Sequence, residues 1–242
     1  MQMHSGRRLR VLRDGALRRI PGPIALATLL AACAAGPPPP DWQANAKSAI
    51  DRSVSAWLMG DTRVEAQEFE RAREQVGRTG RPELVARVEL MRCAARTATL
   101  SFGPCPGFER LRADASPAES AYADYLAGKP LSREGIERLP PAQRPVAQSL
   151  AGPDMRVPSV QTIDDPLSRL IAIAVLFQAG RADPFIIEQA VETASNEGWR
   201  RPLMAWLEVQ ALRAERAGDV AEAQRLRRRI DLVQAARGEG GR

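Results

Sequence analysis

The chain reads as an all-α protein, an array of antiparallel helical hairpins behind a separate N-terminal segment. Two observations carry that reading. Apolar residues recur at three- and four-residue spacing through most of 41–236, the period of one face of an α-helix. Start and stop signals bracket these stretches: Ser116-Pro117, Asp165-Pro166 and Asp183-Pro184 open three of them, and Gly60, Gly180 and Gly218 close others.

Taken in order, the first helix starts at Asp41, carries Ala49, Val54, Trp57 and Leu58 at helical spacings, and closes at Gly60-Asp61. The second runs from Thr62 to Val76 with Val64, Phe69, Ala72 and Val76 inward. A third begins at Pro82, presents Leu84, Val88, Met91 and Ala95, and should end near Phe102. Such short connections make neighbours antiparallel. The middle, about 103–165, is proline-rich and broken. Within it Ser116 and Glu119 form a capping box ahead of a short helix ending at Ala127, and further short helices should surround Ile136 and Val146. From Asp165 the run Leu170 to Phe177 is apolar on every side, as in a central buried helix. A strand is the competing assignment for eight apolar residues, but the cap, the alanines and the stop at Gly180 favour helix. Helices then follow over Pro184–Ala194, Pro202–Ala217 and from Gly218-Asp219 to about Ala236, the last with Val220, Ala223, Leu226, Ile230 and Val233 inward. Residues 237–242 read as a disordered tail.

The N-terminal segment is of another kind. Six arginines between Arg7 and Arg19 precede the apolar, small stretch Ile20 to Ala32, the order of a secretory signal. About 13 residues are too few for a bilayer that needs ~20. Leu30-Ala31-Ala32-Cys33 resembles the lipobox of bacterial lipoproteins. That resemblance implies removal of residues 1–32, acylation of Cys33, and anchoring by two or three chains at ~0.8 kcal/mol per buried CH₂. Residues 33–40, with Gly36 and four prolines to Pro40, form the tether. Ala34 rather than aspartate after the cysteine favours the outer membrane, with the domain facing the periplasm. The six arginines and Asp14 carry most of the chain's net charge of +6, so the exported part keeps +1 and a nucleic-acid partner loses its main support.

Gly60-Asp61-Thr62-Arg63-Val64-Glu65-Ala66-Gln67 and Gly218-Asp219-Val220-Ala221-Glu222-Ala223-Gln224 look alike, with Gly180-Arg181-Ala182-Asp183 a looser copy. This resembles tetratricopeptide-type repeats, in which a glycine joins paired helices. Phe69, Ala72 and Ala223 follow their glycines as in that family. Glu65 and Arg227 depart from it, occupying positions where a small and an aromatic residue are expected, and no contiguous 34-residue period emerges. Repeat-like hairpins and an irregular helical bundle therefore both stay open.

Chemistry is narrowed more by what is missing. The only histidine, His4, lies in the export segment, which removes Ser-His and Cys-His activation and His-containing zinc sites from the exported chain. Lys47 and Lys129 are its only lysines and look like surface residues. Asp164-Asp165 and Glu68–Glu70 do not converge on one substrate, and capping and solvation account for them. Arg225 to Arg229 is a solvated helix face. Trp42, Trp57, Trp199 and Trp206 line either a groove or the core. No cofactor or metal is implied, and no catalytic residue is assigned. Three cysteines less Cys33 leave Cys93 and Cys105, an even pair in an oxidising compartment. A disulfide between them is expected, with Gly103-Pro104 turning the chain back along the third helix on a path with little slack; two separate core cysteines are the alternative. The function expected is a non-enzymatic interaction or scaffold module that binds an envelope protein. A carboxylate-dependent enzyme acting on glycan strands is the other possibility, and needs two acids about 5–10 Å apart in a cleft.

Overall fold

The computed structural model describes residues 40–152 and 157–239, with side chains to 236. Residues 1–39, which hold the expected signal segment 1–32, Cys33 and the expected tether up to Pro39, lie outside the described residues. Among those described there are eleven α-helices, three short 3₁₀ segments and no strand.

Helices α1 (Asp41–Met59) and α2 (Thr62–Gly77) are joined by Gly60-Asp61. Gly60 sits at φ +89°, where only glycine is free of a Cβ penalty, and Asp61 caps α2 by accepting the Val64 N–H at 3.0 Å. Helix α3 (Pro82–Ala98) packs one side against α1 and α2 and the other against α8 (Pro166–Gln178). It is the shared element of the molecule: Val88 belongs to a small cluster with Ile50, Phe69 and Val76, whereas Leu90, Ala94 and Ala98 belong to the main core.

Helix α3 ends earlier than its expected stop near Phe102. Leu100 takes φ +59°, and the Leu100 and Ser101 N–H groups turn back onto the Thr97 and Arg96 carbonyls, a closure usually given to glycine. Its outward side also differs from expectation: Met91 is 39% exposed and Leu84 only half-buried.

The broken middle holds α4 (Pro106–Glu109), α5 (Pro117–Leu126), α6 (Arg133–Arg138) and α7 (Arg144–Ala151), of which α4 was not foreseen. Both halves of the Ser116–Glu119 capping box are formed. The middle is fastened to the core by a buried relay in which the Tyr125 hydroxyl donates to Gln143 Oε1 at 2.8 Å and Gln143 Nε2 donates to the Ser168 carbonyl at 3.0 Å.

In α8 every residue from Leu170 to Leu176 is buried, as the all-round apolar run requires. Helices α9 (Pro184–Asn196), α10 (Arg200–Arg216) and α11 (Val220–Glu239) each pack on the one before. Asp165 and Asp183 cap α8 and α9 through the Ser168 and Ile186 N–H groups. Helix α10 begins at Arg200 rather than Pro202. The last helix reaches Glu239, inside the stretch 237–242 expected to be disordered. Val220, expected inward, is 64% exposed because it is the first residue of α11 and no preceding turn covers it. No helix among the described residues is long and apolar enough to cross a membrane.

Candidate functional site

A cleft of about 960 Å³ opens where α1, α2 and α3 meet the loop between α3 and α4. Its floor is the Cys93–Cys105 disulfide, with Cα atoms 6.1 Å apart, inside the range such bridges occupy. Because α3 stops at Ala98, six residues remain to bring the chain back to Cys105, and the tight path expected from a longer helix is relieved. The bridge fixes the segment Ser101–Pro106, which forms one wall and carries Phe102 at the rim.

The opposite wall is built from charge and aromatic rings, starting with Glu65. This residue stands in the first turn of α2 and is 1% exposed. Its burial is tolerated because Arg92 on α3 grips it with two parallel hydrogen bonds, Nε to Oε1 at 2.6 Å and Nη2 to Oε2 at 3.1 Å. Ser53 on α1 donates to the Glu65 carbonyl at 3.1 Å, tying the third helix of the layer to the same point. The Arg92 guanidinium lies 4.0 Å from the Phe69 ring centroid, so ring and carboxylate together hold it in one orientation.

Arg96, one turn further along α3, is less well compensated. It shares Glu65 only at 4.0 Å, its Nε is buried without a hydrogen-bond partner among the described residues, and its guanidinium lies 5.1 Å from the Trp57 ring. Burial, and then repulsion from Arg92, make its proton easier to lose than that of an ordinary arginine. Trp57 is itself fixed: its indole N–H donates to Thr99 Oγ1 at 3.1 Å, and Arg201 of α10 donates to its carbonyl at 2.7 Å and lies over its ring at 3.8 Å.

Glu89 is the third charged anchor. Its carboxylate lies against the backbone of Gly107, where a Cβ would come within 1.9 Å of Oε2, so any larger residue at 107 would force the Glu89 carboxylate to move. Arg73 Nε stands 3.0 Å from Glu89 Oε1 but off the direction a hydrogen bond needs, leaving an ion pair without one. Burial pushes the Glu89 carboxyl above its usual range, against the opposing pull of Arg73, Arg92 and Arg110. Glu109 goes the other way, held below that range by its hydrogen bonds from Arg112.

Cys93 and Cys105 therefore line the cleft as a bonded pair, and Cys33 lies outside the described residues. The four tryptophans divide: Trp206 is wholly buried in the main core, Trp57 lines the cleft, and Trp42 and Trp199 are half-buried against the two clusters. Asp165 is a helix cap, as expected. Glu68 is not a solvated residue as expected; it is buried, and joins α2 to α1 through Arg52 at 2.8 Å. Arg225 and Arg227 are paired with glutamates on the surface. Lys47 and Lys129 are exposed and ion-paired. Sequence reasoning missed Glu65, Glu89, Arg92 and Arg96. The signal available for three of them was the spacing of Glu89, Arg92 and Arg96 on a single face of one helix, three and then four residues apart. Among the described residues no cluster of three or more possible ligands could hold a metal ion.

The chain matches no family model, no curated protein and no solved structure.

Proposed function

We propose that the chain is the precursor of a lipoprotein of the bacterial envelope, tethered by acylated Cys33 to the outer membrane, whose helical domain faces the periplasm and binds another envelope protein. The observation that carries the binding role is the cleft. It combines arginines held flat by aromatic rings with an exposed aromatic rim residue, Phe102, the side-chain types that dominate binding energy at protein interfaces. The anchor rests on the basic, apolar and small-residue order that ends in Leu30-Ala31-Ala32-Cys33. Positive φ at Gly60, Gly180 and Gly218, the three glycines of the similar segments, supports a tetratricopeptide-like design for the hairpins.

Labelling cells with a palmitate analogue tests the anchor: the wild type takes label and sediments with membranes, and Cys33→Ala loses both. Retention of both by the variant overturns the assignment. A photo-crosslinking residue placed at Phe102 tests the binding role, with exposed Leu232 on α11 as the control. Discrete protein adducts from 102 and none from 232 are expected; adducts from neither position, in cells where the protein is abundant, overturn it.

One observation favours a second reading, a glycan-cleaving enzyme: Glu89 has the raised carboxyl of a general acid and shares its cleft with Glu70 and Glu109. Purified protein that releases reducing ends from glycan strands, and loses that activity in Glu89→Gln, would establish the enzyme instead.

A further inference from the structure

The cleft's charges are mixed, and their arrangement narrows what it can hold. Five cations line it, Arg73, Arg92, Arg96, Arg110 and Lys129, together with three carboxylates, Glu70, Glu89 and Glu109. Three of the cations are already engaged: Arg92 by Glu65, Arg73 by Glu70 and Glu89, and Lys129 by Asp124. Two are less fully engaged. Arg96 is under-compensated and crowded by Arg92, as described above. Arg110 is exposed on the α4 side, and acts on Glu89 through its field with no carboxylate in ion-pair range among the described residues.

We infer that this cleft receives an acidic peptide segment of the envelope partner, its side-chain carboxylates taken by Arg96 and Arg110 and its apolar side chains by Phe102. The inference rests on the reading of the domain as a protein-binding module and supplies the chemistry of the partner. A polyanion such as a phosphate chain is disfavoured, because only Arg96 and Arg110 are incompletely engaged and two cations do not balance a continuous run of negative charge. A peptide spaces its carboxylates and offers N–H donors between them, so it satisfies arginine and glutamate walls together. Phe102 is stacked on Phe177 at 6.5 Å yet remains 36% exposed, a ring held in place with one side free. The wall that carries it is pinned by the disulfide, so little ordering is left for binding to impose.

The test uses the full-length protein in detergent, panned against a displayed library of random heptapeptides, with inorganic pyrophosphate and phosphatidylglycerol vesicles as parallel probes. Peptides combining Asp or Glu with apolar residues are expected to be enriched. Their binding should weaken about tenfold in Arg96→Gln and in the surface variant Arg110→Glu, as loss of a charge-assisted contact implies, and should fall with added salt. Arg110→Glu cannot fail through misfolding of the core, and thermal melts of both variants check this. Enrichment of neutral or basic peptides, or acidic-peptide binding unchanged in both variants, overturns the inference and leaves the protein-binding reading standing. Binding of pyrophosphate or vesicles through Arg96 and Arg110 with no peptide enriched overturns it in favour of a phosphate ligand. If no probe binds and position 102 also crosslinks nothing in cells, the inference and the reading beneath it fall together.

Discussion

The two ends of the domain are assembled by different forces. Helices α8, α9 and α10 meet through an apolar interior in which Leu170, Ile173, Leu176, Ile187 and Trp206 are essentially without solvent contact. Helices α1 and α2 meet α3 around a smaller cluster, and the joints between elements are carboxylate–arginine pairs with buried acids: Glu65 with Arg92, Glu68 with Arg52, Glu89 with Arg73 and, beyond the layer, Glu119 with Arg87. Apolar burial is non-directional and stabilises whatever packs well. Buried ion pairs contribute little net stability but require one geometry. This contrast explains why the cleft lies at the charged end: a binding wall needs fixed directions, and Arg92, held by Glu65 and the Phe69 ring, gives the wall its rigid frame beside Arg96.

The largest effect should come from the apolar end. Trp206→Ala removes a fully buried indole, and its N–H bond to the Ala98 carbonyl, and should cost about 3–5 kcal/mol of unfolding free energy by denaturant titration. A loss below about 1 kcal/mol would mean that this interior is not the principal source of stability. At the charged end Glu65→Ala leaves Arg92 without its partner and should cost about 3 kcal/mol, whereas Glu65→Leu with Arg92→Met should return to within about 1 kcal/mol of wild type. A double variant no better than the single would show that the pair contributes net stability and that the two ends are not held by different forces. Replacing both Cys93 and Cys105 by serine should cost about 3 kcal/mol in the chain-entropy account, and should raise the protease sensitivity of Ser101–Pro106 first. Cleavage elsewhere before that loop would show that the bridge does not hold the wall.

A smaller, pH-dependent effect belongs to Glu89. Its carboxyl binds a proton more tightly in the folded chain, so this contribution is complete in acid and is lost as pH rises through the raised value. The stability of wild type relative to Glu89→Gln should therefore fall from acid towards neutral pH, read from denaturant midpoints of the two proteins. A flat or rising difference would show that Arg73 outweighs the cost of burial.

Local signals in the sequence described much of this. Ser116, Asp165 and Asp183 stand just before prolines and cap the helices they open, and Gly60 and Gly218 turn one helix onto the next. The all-round apolar run of α8 announced a central helix. The charged layer was less legible because its partners are remote: Glu65 reads only as a departure from a repeat pattern until Arg92, 27 residues later, is known to lie beside it. The end of α3 was misplaced because Leu100 does the work of a C-terminal glycine without being one. The cleft needs three helices, a disulfide and the Gly107 approach at once, and no single segment carries that information.

The contrast between the two ends is tested most directly by native-state hydrogen exchange on wild type and Glu65→Ala. Amides of 170–176 and 186–194 should exchange only through global unfolding, whereas those of 46–58 and 65–76 should open at lower free energy, and Glu65→Ala should lower the second group further than the first. Equal opening energies in the two regions, or equal losses in both on Glu65→Ala, would contradict it.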